Sequence, residues 1–131
     1  MVCLDTSFAI DVIRGNKIVK PLLEEYEKTK ESVYITTPTI MELVKGAHLS
    51  VNTASEKERI INFLSSLLVL NFNIANAFKA GEIEANLRRE GAIIQIEDIM
   101  IAATCISKNE TLIRRNKKNF ERIKGLKIQS Y

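Results

Sequence analysis

One acid is set apart from the others by the residues behind it. Asp98 stands near the start of Ile96 to Ile106, IEDIMIAATCI, where Thr104 is the only polar residue between Ile99 and Ile106. A short helix that is apolar all round belongs in a core, which puts Asp98 at the mouth of a buried element. A carboxylate taken out of water is costly unless it is protonated, hydrogen-bonded, paired with a cation or bound to a metal. Two readings are open. In the first, Asp98 and Glu97 are helix-capping acids, facing free N–H groups and the positive end of the helix dipole. In the second, other carboxylates converge on the same place and do chemistry there.

Two further acids have positions that suit the second reading. Asp5 ends an apolar run beginning at Met1, the pattern of a strand buried on both faces, and would lie at that strand's carboxyl end. Glu42 lies on a helix that Pro38 starts after the β-branched strand Val33 to Thr36. On that helix Ile40, Leu43, Val44 and Ala47 form the apolar stripe, so periodicity alone leaves Glu42 solvated on the opposite side. Gly46 shares its face, costs about 1 kcal/mol relative to alanine inside a helix, and argues for a close approach there. Other chemistries lack their motifs: there is no G-x-G-x-x-G, no P-loop and no G-x-S-x-G. The single histidine, His48, has neither a second ligand nor a nucleophile beside it and reads as a surface or interface residue.

The elements that must position these acids alternate along the chain. A helix from Phe8 to Arg14, capped by Thr6 or Ser7 and stopped by Gly15, comes after the first strand, and Pro21 opens another carrying Leu22, Leu23 and Tyr26. The S-x-x-E pattern of Ser55 and Glu58 predicts a capping box ahead of Ile60, Phe63, Leu64 and Leu67. Leu67 to Phe72 reads as a strand, Asn73 caps a helix running to Glu90, and after the Asp98 helix come strands at Thr111 to Ile113 and Lys127 to Gln129. Strands alternating with helices imply an α/β fold, a parallel sheet sandwiched by helices, whose ligands bind beyond the carboxyl ends of the strands. Asp5 and Asn116 each come directly after an apolar strand, and Glu42 comes after the second, so the acids can meet at that edge.

Composition bounds the rest. A chain of 131 residues fits one domain, residues 1–131, able to bury about two thirds of its unfolded surface. Cys3 and Cys105 each lie within an apolar segment and read as core residues in a reducing, cytoplasmic setting. No apolar run approaches the roughly 20 residues that span a bilayer, and no signal peptide is evident. The net charge of +3 is modest, but seven basic residues, Arg114, Arg115, Lys117, Lys118, Arg122, Lys124 and Lys127, stand near the C-terminus against one acid, Glu121. That run is either a footprint for a polyanion or a solvated basic face.

Together these segments resemble the PIN-domain nucleases, most closely the short VapC-type toxins of prokaryotic toxin–antitoxin pairs. The likeness spans essentially the whole chain, through VCLDTS with Asp5, MELVKGA with Glu42, DIMIAAT with Asp98, and the ending LIRRNKKNFERIKGLKI. It implies a PIN-like fold and a carboxylate cluster of Asp5, Glu42 and Asp98 that binds Mg²⁺ or Mn²⁺. The implied activity is endoribonuclease: hydrolysis of RNA phosphodiester bonds by a metal-activated water. It also implies a homodimer and a VapB-like antitoxin as protein partner. Hard oxygen ligands suit such cations, and a cation relieves the repulsion among three acids. Asp5 and Asp98 would contact the metal, and Glu42 would bind it or act as general base. One departure is that many members carry a further aspartate where this chain has Asn116 and Asn119; an amide oxygen can ligate a cation but adds no charge. Arg114, Arg115, Asn116 and Lys117 are then the expected substrate contacts, the basic ones to phosphate.

Two other functions fit parts of the pattern. A non-catalytic RNA-binding module would keep the fold and the basic run while the missing acid weakened metal binding. A receiver-like domain would use an aspartate cluster for phosphotransfer, although no strand-end lysine suited to it is evident.

Overall fold

A computed structural model describes residues 1–118 and 120–131; Asn119 lies outside the described residues. Among the described residues five strands form one sheet in the order β3-β2-β1-β4-β5, and every pair is parallel. The strands are β1 (Val2–Leu4), β2 (Val33–Thr36), β3 (Leu68–Leu70), β4 (Thr111–Arg114) and β5 (Lys127–Ser130). Between them run α1 (Thr6–Ile13), α2 (Lys20–Thr29), α3 (Thr37–Leu49), α4 (Thr53–Leu64), α5 (Ile74–Arg89) and α6 (Ile96–Ser107), and a 3₁₀ turn, Phe120–Arg122, precedes β5.

Alternation along the strands decides which helices cover which face. The register aligns Val2, Val33 and Thr111, then Cys3, Tyr34 and Leu112, then Leu4, Ile35 and Ile113. Cys3 and Leu112, with Leu70, pack under α5 and α6 against Ile83, Leu87, Ile99 and Ile101. On the opposite face Val2, Leu4 and Ile113 pack with Phe8, Val19 and Tyr26 of the α1–α2 segment, while Ile35 meets Ala9, Leu43 and Ile60 of α1, α3 and α4. Both cysteines are free and buried, and the neighbouring Cys3 followed by burial pushes the Cys105 thiol well above its usual range. Among the described residues no helix is long and apolar enough to cross a membrane.

Several local expectations are corrected. The α1 helix begins at Thr6, with Asp5 in the extended N-cap position and no side-chain capping bond, so Thr6 and Ser7 are helical residues free for other partners. Helix α4 begins at Thr53 because the Asn52 side chain accepts from the Ser55 N–H; Ser55 is therefore capped and does not act as a cap. Strand β3 is shorter than Leu67 to Phe72, and at the sheet edge its Leu68 and Val69 remain exposed. Elsewhere Asn73 and Asn76 cap α5 reciprocally, and Gly15 and Gly91 take positive φ where α1 and α5 end.

Candidate active site

The strand order reverses direction beside β1: β2 and β3 lie on one side of it, β4 and β5 on the other. Just beyond the carboxyl ends of strands at such a switch point, helices diverge and leave a crevice. Asp5 is the first residue after β1, and its N–H still donates to the Ile113 carbonyl at 3.0 Å, extending the β1–β4 ladder by one residue. Asp5 is thereby laid alongside Arg114. Both continue the alternation of Cys3 and Leu112, on the face covered by α6.

Asp98 and Glu97 both lie in the first turn of α6, where the helix dipole favours acids, but neither is the N-cap residue. Gln95 is the N-cap residue, and no side chain makes a capping bond. A cap would favour the ionised carboxylate, whereas the Asp98 carboxyl is pushed up to about 6. Burial is the main cause, followed by the charge of Asp5, with Glu42 and Glu97 adding to it and Arg114 opposing it. These contributions place Asp5, Glu42, Asp98 and Glu97 within one electrostatic neighbourhood.

Glu42 departs from its local helical pattern. It is half-buried, and its Oε2 accepts a hydrogen bond from the Thr6 hydroxyl in the first turn of α1. The polar side of α3 at this level faces the start of α1 because β1 and β2 are neighbours, so the contact is invisible to periodicity. Gly46 gives no support to a close approach within the chain: a Cβ there would meet nothing within 4 Å. It lines instead a cleft of about 250 Å³ between α1, α3 and α4, with Glu42 and the apolar Ile10, Ile13, Leu43 and Ile60. His48 is exposed, as expected.

The basic residues are less uniform than their sequence suggests. Arg114 turns inward: its Nε lies 3.7 Å from Asp5 Oδ2, and its guanidinium carbon sits 3.8 Å above the centre of the buried Phe120 ring. Arg115 turns to the other face and donates to both oxygens of the buried Asp11. Asn116 is exposed, and its side-chain oxygen accepts from the Lys118 N–H at 2.9 Å. Lys117 is exposed beside Glu121. The structure thus sets Arg114 beside Asp5, leaves Asp5 and Glu42 close enough to influence the charge of Asp98, and keeps Asn116 and Lys117 at the surface.

Four contributors were not singled out by sequence: Thr6, which holds Glu42; Ser7, whose hydroxyl donates to Asp5 Oδ2 at 3.1 Å; Glu97; and Phe120 under Arg114. Thr6 and Ser7 had a signal in their position directly after Asp5, where hydroxyls can orient a carboxylate as readily as cap a helix.

A hard divalent cation fits the donors in kind. All are carboxylate oxygens, and Asp5 Oδ1 is buried without a hydrogen-bond partner among the described residues. As the side chains are placed, however, no group of three or more His, Cys, Asp or Glu among the described residues is arranged to hold a metal ion.

Comparison with known proteins agrees with this architecture. The PIN domain family profile matches residues 2–126, and the chain belongs to that family. It is similar to the tRNA(fMet)-specific endonuclease VapC of Salmonella typhimurium, at 30% identity over 98% of this chain and 96% of the relative. Among solved structures, it superposes on VapBC2 from Rickettsia felis bound to a DNA fragment from their promoter, with a TM-score of 0.92, 28% identity, and coverage of 100% of this chain and 99% of that one. DNA-bound VapBC from Salmonella typhimurium gives a TM-score of 0.88 at 30% identity, covering 99% and 98% of the two chains.

Proposed function

We propose that this protein is a metal-dependent endoribonuclease of the toxin–antitoxin type. The observation that supports the reading is the buried Asp98 carboxyl pushed up by burial and by the charges of Asp5 and Glu42, beside an Asp5 oxygen that has no partner among the described residues. RNA as substrate is supported by the names of relatives, which include a tRNA(fMet)-specific endonuclease and the ribonuclease VapC2 of Haemophilus influenzae.

In this reading Asp5 and Asp98 hold Mg²⁺ or Mn²⁺, with Glu42 beside them. Bound, such an ion acidifies a water molecule and neutralises charge on the phosphate, so no protein nucleophile is needed. Ser7 orients the Asp5 carboxylate. Thr6 holds Glu42, which would serve as general base. Asn116 and Lys117, exposed near the same edge, contact the substrate backbone; Arg115 joins them only as far as its bonds to Asp11 allow.

The protein partner in this reading is a VapB-like antitoxin, supported by the solved VapBC complexes. The cleft beside Glu42, in which Ile10, Ile13, Leu43 and Ile60 are flanked by Arg14, Glu56 and Arg59, is the surface offered to it. A homodimer, expected from the family resemblance, is tested by sedimentation at micromolar concentration.

The decisive assay is cleavage of RNA with Mg²⁺ or Mn²⁺ by the wild type and by Asp98→Asn, prepared identically. Loss of cleavage in the variant supports the assignment, and equal activity in both sinks it. A second reading, a non-catalytic RNA-binding module, is favoured by the amide Asn116 at a position where an acid would complete the cluster. Retained RNA binding with no Mn²⁺ binding at millimolar concentration would select it.

A further inference from the structure

Arg114 is held by charge and by shape, but poorly by hydrogen bonds. Its side chain is only 16% exposed, yet Nε and Nη1 are buried with no hydrogen-bond partner among the described residues. Its carboxylate neighbour is in the same condition: Asp5 is 3% exposed and Oδ1 has no partner. The 3.7 Å separation from Asp5 Oδ2, which accepts from Ser7, is too long for a hydrogen bond, so two desolvated, oppositely charged groups lie side by side while Nε, Nη1 and Oδ1 have no partner among the described residues. Such an arrangement is costly for a purely structural pair. It is intelligible if the carboxylate is shared with something else.

We propose that Arg114 is a built-in counter-cation of the carboxylate cluster, neutralising Asp5 in the metal-free protein and surrendering it when a divalent cation binds. The idea rests on the reading of Asp5, Glu42 and Asp98 as metal ligands and adds a competitor to it. Three features support the exchange. The β1–β4 register sets Arg114 beside Asp5, where one carboxylate cannot serve a guanidinium and a cation equally. The stack on Phe120 fixes the guanidinium plane and gives it a platform on which to pivot. Among the described residues the acids as placed do not form a three-ligand site, and Glu42 is engaged by Thr6 and Asp5 by Arg114. Arg114 is therefore a positioning residue acting through Asp5. Once released, its N–H groups are free for an anionic group such as a substrate phosphate.

The test is titration of Mn²⁺ into the purified full chain by calorimetry, for wild type, Arg114→Met and Arg114→Lys. Methionine keeps the contact with Phe120 and removes the charge. Arg114→Met should bind Mn²⁺ about tenfold more tightly, the scale expected from removing a unit charge a few ångströms away. Arg114→Lys should stay within about threefold of wild type, since the competing charge is kept. In wild type, Mg²⁺ should shift the Arg114 Nε–H resonance and speed its exchange with solvent, saturating with the calorimetric affinity; this readout stands even if Arg114→Met fails to fold. Metal binding in Arg114→Met with none in wild type would also support the exchange. If wild type binds metal while Arg114→Met binds no more tightly, or if the Nε–H resonance is unmoved, the exchange is wrong and the metal site survives. Absence of binding in wild type and in Arg114→Met overturns both.

Discussion

Two adjacent arginines meet two aspartates of the same β1–α1 segment, and the pairs could hardly differ more. Asp11 is buried and accepts from Arg115 through both oxygens, from the Tyr131 hydroxyl at 2.7 Å and from the Asn16 amide at 3.1 Å. Burial raises its proton affinity, but the bonds from Tyr131, Arg115 and Asn16 outweigh burial, and its carboxyl lies below the usual range. Asp5 is equally buried, yet its guanidinium partner stands at 3.7 Å and both groups keep unpaired polar atoms. A fully bonded buried carboxylate staples the structure, here tying the end of β5 to α1, where Tyr131 also packs edge-on against Phe8. A partly bonded one is held ready for another partner. Sequence shows only two Arg–Asp combinations; the count of satisfied atoms separates staple from site.

The two aspartates should fail differently when altered. Asp5→Asn should lower RNA cleavage by roughly 10²–10⁴-fold, the scale for losing a group engaged in the chemical step, while thermal melting falls by less than in Asp11→Ala. Asp11→Ala should do the reverse, lowering stability by about 2 kcal/mol through the donors it leaves unpaired while Mn²⁺ affinity, measured on folded protein, stays near that of wild type. Asp11→Ala melting normally, or Asp5→Asn cleaving normally, would break the comparison.

The pH dependence of stability sharpens it. Asp98 has a folded-state pKa of about 6 against an ordinary 3.8, so the metal-free folded protein binds more protons than the unfolded chain between those values. Its contribution is most favourable below about 3.8 and is lost as pH rises towards 6. Asp11, with its pKa lowered, behaves oppositely, stabilising the fold above 3.8 and losing that contribution as pH falls through its folded value. Metal-free Asp98→Asn should therefore melt higher than wild type at neutral pH, by about 1 kcal/mol after allowance for solvent screening, and the advantage should vanish near pH 4. Tyr131→Phe should give the smallest effect, a loss of about 1 kcal/mol or less from one hydrogen bond to a charged acceptor that keeps its others. Chemical denaturation of each variant across pH checks both.

Much of this architecture is legible in the residues alone. The apolar run into Asp5, the apolar stretch behind Asp98, and the alternation of strands and helices suffice for a parallel α/β sheet with acids at its carboxyl edge, because burial of strands and helices is written in periodicity. Caps are less legible: Asn52 prevails over the Ser55 and Glu58 pattern because several polar residues near a helix start can each accept the same N–H, and backbone geometry chooses among them. Glu42, read against its own helix, looks solvated, while its partner Thr6 lies 36 residues away.

Residue types and order by themselves determined the family and the sheet, since these depend on local pattern and on segments that recur together. Tertiary structure alone decided what Arg114 and Arg115 do. Neighbouring residues on a strand point to opposite faces, so two identical side chains one position apart entered different surroundings, one beside the unpaired oxygen of Asp5 and the other in the closed hydrogen-bond network of Asp11.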